Sequence, residues 1–131
     1  MPRSRPPRVV LSDPFHDEIQ MYANALEFVG FDVIALTEPD LARAVAQVRE
    51  LRPDALVTRI LPRRFGIELV LQLREDPRVG RIPMLILTSL TQPDILRDAR
   101  ASGANEVLVI PVGPDAVAQR LRYHLRQRRR T

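Results

Sequence analysis

Residues 54–66 read DALVTRILPRRFG, a short apolar run followed by a proline and then a glycine. The apolar residues Ala55, Leu56 and Val57 are consecutive, which is typical of a strand that is buried on both faces of a parallel sheet. In such sheets the functional groups follow the carboxyl ends of the strands. Thr58 and Arg59 follow this strand, so the position usual for a site holds no carboxylate, cysteine, histidine or lysine.

The same pattern of strand, loop and amphipathic helix recurs along the chain. Apolar runs predict strands at 8–12, 31–36, 54–58, 82–89 and 105–110. Helical periodicity follows each of them, within 13–30, 37–51, 66–76, 91–103 and from 114 onward. Five alternating pairs predict an α/β fold of the flavodoxin-like (βα)5 class. Its doubly wound, parallel five-stranded sheet has the order 2-1-3-4-5, with the site at the carboxyl ends of strands 1 and 3.

Capping residues mark the predicted ends of three helices. Asp13 as N-cap and Pro14 at the first helical position predict the start of the first helix, and Gly30 predicts its end. The remaining marks are Thr37 and Asp40 for the start of the second helix, and Thr91 and Gly103 for the two ends of the fourth.

Composition narrows the class of protein. The 131 residues with 45% hydrophobic content predict one globular domain, placed at 8–126, after a disordered basic lead at 1–7 and before an Arg-rich tail at 127–131. There is no cysteine, which excludes disulfides and thiolate chemistry. No apolar run approaches the roughly 18 residues of a membrane span, and no secretory signal opens the chain. We therefore expect a cytoplasmic protein without a membrane contact.

The chain from Arg8 to about Arg126 resembles the receiver domain of two-component response regulators. The likeness rests on Asp13 after strand 1, on Leu61, Pro62 and Gly66 after strand 3, and on the stretches ILTS at 86–89 and GANEVLVIP at 103–111. Receivers transfer a phosphoryl group from a histidine kinase to an aspartate. Clustered carboxylates hold Mg²⁺ for this step, a lysine binds a phosphoryl oxygen, and a hydroxyl and an aromatic residue respond to the new charge.

The resemblance implies where these groups would stand in this chain. The acidic pair falls on Ser12 and Asp13, the phospho-acceptor on Thr58, the switch hydroxyl on Thr88, the lysine on Ile110 and the switch aromatic on Val107. A threonine hydroxyl without an adjacent base is a poor nucleophile, and one carboxylate is too few for Mg²⁺. The resemblance is thus to a degenerate receiver, a pseudo-receiver with a vestigial pocket and no catalytic residue, metal or cofactor.

Several of these residues have a second, purely structural interpretation. Asp13 is either a helix cap or a relic of a metal ligand, and Thr58 either packs at the strand end or is a regulatory phosphosite. Arg59, Arg63 and Arg64 form either a solvated loop or a contact for an anion or acidic partner, because guanidinium groups match carboxylate and phosphate.

The function we expect is a non-enzymatic signalling domain that contacts a protein partner through the face of helix 4, strand 5 and helix 5. We also expect a weak, salt-sensitive homodimer through the same face, in which Asp94, Asp98 and Glu106 pair with arginines of helix 5. The alternative is nucleic-acid or polyanion binding through Arg126, Arg128, Arg129 and Arg130. No base-reading motif accompanies these arginines, which disfavours sequence-specific recognition. A flavin- or nucleotide-binding relative is disfavoured by the acidic loop SDPFHDE at 12–18.

Overall fold

The computed structural model describes residues 5–130, without the side chains of residues 16–18, 129 and 130. Five strands alternate with five helices, as the sequence predicts. The elements are β1 Arg8–Ser12, α1 His16–Phe28, β2 Asp32–Leu36, α2 Leu41–Leu51, β3 Ala55–Arg59, α3 Phe65–Arg74, β4 Met84–Thr88, α4 Pro93–Ala101, β5 Glu106–Val109 and α5 Pro114–Arg130. Of the predicted lead, residues 1–4 lie outside the described part, and residues 5–7 precede β1 without helix or strand.

The strands form one parallel sheet in the predicted order β2-β1-β3-β4-β5. Its two faces explain why the strands are apolar without alternation. On one face Val10, Leu56 and Ile86 pack against α2, α3 and α4. On the other face Val57 and Leu87 pack against α1 and α5. Both kinds of position are therefore buried, as expected for a sheet covered by helices on both sides.

The predicted start of α1 is wrong. The Asp13 Oδ1 atom accepts the backbone N–H of Phe15 at 2.9 Å, so Asp13 closes a turn of its own, and the helix begins only at His16. Pro14 accordingly precedes the helix. Gly30 follows the helix end with a φ of +106°, which confirms its predicted role as the residue that ends α1.

Of the predicted caps at the starts of α2 and α4, one is confirmed and the other is wrong. Asp40 caps α2 by accepting the N–H of Arg43 at 3.0 Å, as predicted. Thr91 does not cap α4, because the helix begins at Pro93 with Gln92 before it and no side-chain hydrogen bond. A proline at the first helical position already lacks the N–H that a cap would satisfy.

Helix α5 continues through the segment predicted as a tail. It is helical to Arg130, and Thr131 lies outside the described residues. Arginine and glutamine are good helix formers, and no proline or glycine interrupts residues 115–130. Nowhere between residues 5 and 130 is a helix both long and apolar enough to cross a membrane.

Arg74 fastens the amino-terminal edge of the sheet. Its guanidinium donates to the carbonyls of Gly80, Ile82 and Gly103, at 3.0, 2.6 and 2.8 Å, and to the side-chain oxygen of Asn105 at 2.8 Å. Burial lowers the pKa of the Arg74 guanidinium from its usual value. One side chain thus joins the segments that lead into β4 and β5.

Candidate functional site

The carboxyl edge of the sheet brings together four of the predicted site residues. Ser12 ends β1 and is the register partner of Thr58 on β3, so the two side chains lie on the same side of the sheet. Asp13 and Arg59 follow them directly, and all four line a small cavity of about 10 Å³. That volume is about what one water molecule needs.

Thr58 is buried, and its hydroxyl already has a hydrogen-bond acceptor. Only 1% of the residue is exposed, and its hydroxyl donates to the carbonyl of Arg59 at 2.9 Å. The neighbouring Ser12 hydroxyl is buried too and has no hydrogen-bond partner among the described residues. Neither hydroxyl donates to a carboxylate or histidine among the described side chains, so the described contacts do not activate a nucleophile.

Among the described side chains Asp13 is the one carboxylate that lines this pocket, and its two oxygens have partners. Oδ1 accepts the N–H of Phe15, and Oδ2 lies 3.5 Å from the Arg59 guanidinium. The Asp13 side chain is 3% exposed and that of Arg59 18%, so the pair is largely shielded from solvent. The charge of the Asp13 carboxylate is therefore balanced by a side chain of the protein itself.

The donor set of this pocket does not fit a divalent cation. Mg²⁺ requires near-octahedral oxygen ligands, normally with carboxylates among them. Here one carboxylate stands beside a guanidinium, and Ser12 and Thr58 occupy the positions where the resemblance would place further acids. No group of three metal-ligating side chains occurs in the described part of the chain.

The other three positions that the resemblance assigns are Thr88, Val107 and Ile110, and their described contacts are a hydrogen bond for Thr88 and core packing for the other two. The Thr88 hydroxyl accepts the N–H of Leu90 at 2.9 Å, and the backbone N–H of Ile110 donates to the Thr88 carbonyl at 2.8 Å. The Ile110 side chain packs against the core between the sheet, α1 and α5. Val107 packs against the opposite core. The place of the cationic lysine is thus apolar.

Gly66 explains why a glycine follows the proline loop. A Cβ atom at this position would lie 1.9 Å from the carbonyl oxygen of Arg59, which is closer than any side chain allows. The Gly66 N–H donates to the carbonyl of Ile60 at 2.9 Å. Helix α3 therefore begins directly against the end of β3, and this fixes the loop beside Thr58.

The three loop arginines do not share one site. Arg59 turns inward to Asp13, whereas Arg64 reaches α4 and binds Asp98 at 2.6 Å, with Asp94 at 3.9 Å. Arg63 is exposed and forms no ion pair or hydrogen bond with the other described residues. The sequence could not predict this division, since the acids lie 46 and 34 residues away from their arginines.

The acids of the α4–β5–α5 face also have partners within the chain. Glu106 on β5 accepts from Arg120 at 2.5 Å and lies 2.6 Å from the His124 ring nitrogen. Tyr123 is 39% exposed and Val109 is 42% exposed, so this face presents two apolar side chains. The predicted pairing of these acids with a second copy therefore competes with contacts inside one copy.

Comparisons of sequence connect the chain with response regulators. No protein-family model matches it. The protein RcaC of Microchaete diplosiphon is 34% identical over 117 residues, which cover 88% of this chain and 18% of RcaC. The DNA-binding response regulator MtrA of Mycobacterium tuberculosis is 31% identical over 121 residues, which cover 92% of this chain and 51% of MtrA. The chain thus spans about half or less of the length of these curated relatives.

Comparisons of structure agree. The chemotaxis protein CheY4 of Vibrio cholerae matches with a TM-score of 0.79 and 26% identity, over 91% of this chain and 98% of CheY4. The signal receiver domain of a histidine kinase from Syntrophus aciditrophicus matches in fold with a TM-score of 0.85 and 21% identity, over 95% of this chain and 94% of that one. The fold is therefore CheY-like, and the comparisons support a receiver domain of response regulators with a role in two-component signalling.

Proposed function

We propose that this domain, with residues 8–126 as its unit, signals without being phosphorylated. The observation that carries the proposal is the state of Thr58, which stands where the resemblance places the phospho-acceptor. Its hydroxyl is buried and donates to the backbone carbonyl of Arg59 rather than to a base. Phosphoryl transfer is catalysed by positioning and by charge stabilisation. The described side chains of this pocket form no metal-binding carboxylate cluster, and the sequence has no lysine.

The ion pair of Asp13 and Arg59 supports the same proposal. In a receiver that uses Mg²⁺, an exchangeable cation balances the clustered acids. Here a guanidinium balances the acid permanently. We infer that the pocket has one charge state, so that its charge cannot report an input.

The proposed output is contact with a protein partner through the α4–β5–α5 face, in the cytoplasm and without enzymatic activity. Exposed Val109 and Tyr123 give this face an apolar centre, and the Arg120 guanidinium stacks 4.6 Å from the centre of the Tyr123 ring. Tyrosine and arginine are enriched where protein interfaces carry most of their binding energy. A weak homodimer through this face belongs to the proposal.

A second candidate function is polyanion binding by α5. The observation that favours it is the continuation of the helix to Arg130, because a spacing of four residues places Arg122 and Arg126 along one side of a rigid helix. MtrA is named a DNA-binding protein, but it is about twice as long as the region shared with this chain. A titration with a DNA duplex at rising salt tests this candidate, since phosphate contacts lose affinity steeply with salt.

A phosphorylation assay tests the main proposal directly. The protein is incubated with acetyl phosphate and Mg²⁺, or with beryllofluoride and Mg²⁺, and followed by intact mass and by ¹H–¹⁵N NMR. We expect an unchanged mass and an unchanged spectrum, with CheY4 as the positive control. A stable adduct on any aspartate, or on Thr58, would overturn the proposal.

A further inference from the structure

An apolar groove lies beside the vestigial pocket and is not explained by the proposed function. It has a volume of about 960 Å³ and lies where the loops after β2, β3 and β4 meet the start of α3. Its apolar lining comes from Pro39, Leu41, Leu61, Pro62, Phe65, Leu90 and Ile95. Leu61 is 39% exposed, whereas Phe65 at the start of α3 is 6% exposed and anchored in the core.

The groove has one cation that no other described residue neutralises. Arg63 lines it with an exposed side chain and without an ion pair in the part of the chain that the structure describes. Its backbone has a φ of +53°, a conformation that residues other than glycine, asparagine and aspartate seldom adopt. Arg64, the other basic residue of the lining, is already bound to Asp98.

We propose that this groove binds a small amphiphilic monocarboxylate. Its apolar body would lie on Leu61, Leu90 and Ile95, and its acid group would pair with the Arg63 guanidinium. The guanidinium fork matches a carboxylate with two parallel hydrogen bonds. Glu68 also lines the groove and repels a second negative charge, which limits the ligand to one acid group.

The size and composition of the groove favour a small molecule over a protein segment. Sites for small ligands are concave, mostly apolar and about 300–1,000 Å³ in volume, with a few polar groups that fix the orientation. This groove meets the criteria of volume and lining, since seven apolar residues line it and Arg63 supplies the uncompensated charge. A protein partner would instead require a much larger surface, about 800 Å² on each side.

The groove is connected to the proposed output face. Ile95 belongs to α4, and Arg64 joins the loop after β3 to Asp98 of the same helix. A ligand between Leu61 and Ile95 would therefore contact α4 directly. The role of the ligand as an input signal rests on the proposed function, whereas its binding does not.

Three probes that differ only in their head group test the binding. They are 4-phenylbutyrate, 4-phenylbutanol and 4-phenylbutylamine, each titrated into the full chain and followed by ¹H–¹⁵N NMR. We expect the backbone signals of residues 63–68 and 90–96 to shift in fast exchange. The acid should bind about five times more tightly than the alcohol, the magnitude of an exposed ion pair, and the amine should bind most weakly.

Variants of the groove separate its two parts. Arg63→Asn removes the guanidinium but tolerates the positive φ, so it should reduce the affinity for the acid about five-fold and leave the alcohol unchanged. Leu61→Ala should weaken all three probes. Arg81→Asn, a change at an exposed arginine away from the groove, is the matched control and should change nothing.

Three results would overturn the proposal. They are no shift in residues 63–68 at 10 mM probe, equal affinity for acid and amine, and an Arg63→Asn variant that binds the acid as the wild type does. If the acetyl phosphate test yields an adduct while the acid still binds through Arg63, only the proposed function fails. The groove proposal then stands, and the reverse pair of results refutes the groove alone.

Discussion

Arg59 Nη1 lies 3.5 Å from Asp13 Oδ2 and joins the end of β3 to the residue that follows β1. The two side chains are largely buried, so each depends on the other to offset the loss of hydration. The pair has a second consequence, because it places a permanent positive charge where a receiver that uses Mg²⁺ would admit a metal. We propose that the same contact stabilises the fold and disfavours a cation in the pocket.

Breaking this pair from one side should destabilise the protein. Arg59→Met keeps the aliphatic length but leaves the Asp13 carboxylate buried without its guanidinium, which should cost about 2 kcal/mol in the free energy of unfolding. Adding Asp13→Asn keeps an acceptor for the Phe15 N–H and removes the unbalanced charge, so the double variant should recover part of the loss. Urea unfolding measures both. A double variant less stable than Arg59→Met alone would show that the charge pair is not the important contact.

Asp76 makes a testable contribution that depends on pH. Its Oδ1 atom accepts the Arg78 N–H at 2.7 Å, and its Oδ2 atom pairs with Arg49 of α2. The backbone hydrogen bond from Arg78 is the largest cause that lowers the pKa of the Asp76 carboxyl below its usual value. Burial opposes it, and the hydrogen bond and charge of Arg49 add to the lowering. A lowered pKa in the folded state means that the stabilisation is present above the unfolded pKa, near 3.9, and is lost as the pH falls through the folded value.

The variant Asp76→Asn should therefore be less stable than the wild type between pH 5 and pH 8 by a constant amount. The difference should shrink below about pH 4, as the wild-type carboxylate takes up its proton. Denaturant titrations at several pH values measure it. Glu75→Gln, at the exposed neighbouring residue, is the control and should follow the wild type. A gap between Asp76→Asn and wild type that stays constant down to pH 2 would refute the assignment.

The fold could be predicted from the sequence because its signals are local and repeated. Apolar runs such as Leu56–Val57 and stripes such as Val45 and Val48 on α2 each indicate one element, and the alternation of elements leaves few topologies. The start of α1 was missed for a local reason as well. An aspartate followed by proline suits both a helix cap and an Asx turn, and only the position of the Phe15 N–H separates the two.

The site was predictable in position but not in its contacts. Strand order and the resemblance together predict Ser12 and Thr58 at the carboxyl edge, and in the structure the two are register partners. The partners of Arg59 and Arg64 depend on three-dimensional distances across long stretches of chain, which no spacing rule encodes. The groove has one weak signal in the sequence, since leucines rather than polar residues follow two of the strand ends, at 61 and 90.

Arg74 should not be replaceable by lysine. Its guanidinium reaches four acceptors at once, and each net hydrogen bond contributes about 1 kcal/mol. Lysine keeps the charge but has no planar fork, so Arg74→Lys should lose about 2 kcal/mol and Arg74→Met more. Thermal unfolding checks this, with Arg81→Lys as the matched exposed control. An Arg74→Lys variant as stable as that control would show that charge alone is sufficient.

Weak self-association through the α4–β5–α5 face should depend on its apolar centre. Because Asp94, Asp98 and Glu106 have partners within the chain, a dimer must exchange those contacts, and we expect dissociation constants no tighter than about 100 μM. Val109→Glu should abolish the dimer, since it places a charge at the centre of the contact. Sedimentation at high protein concentration and low salt measures this. Wild type and Val109→Glu that sediment alike would exclude this face.

Rebuilding the pocket tests whether the residue assignments are right. Ser12→Asp, Thr58→Asp and Ile110→Lys together would restore an acidic pair, an acceptor and a lysine to a backbone on which Ser12 and Thr58 are already register partners. New carboxylates beside Asp13 repel one another and raise at least one pKa, so the triple variant should melt below the wild type.

The triple variant should regain stability when Mg²⁺ binds. A ligand that binds only the folded state stabilises it by about 2.7 kcal/mol at a hundredfold excess over its Kd. For a domain of this size that corresponds to a rise of about 10 °C in Tm with Mg²⁺. The wild type should show no such rise, and neither should a control with asparagine at 12 and 58 and glutamine at 110, which has similar shapes without the charges. A triple variant whose Tm ignores Mg²⁺ would mean that Thr58 does not occupy the place of the acceptor, and the resemblance would then extend to the fold but not to the pocket.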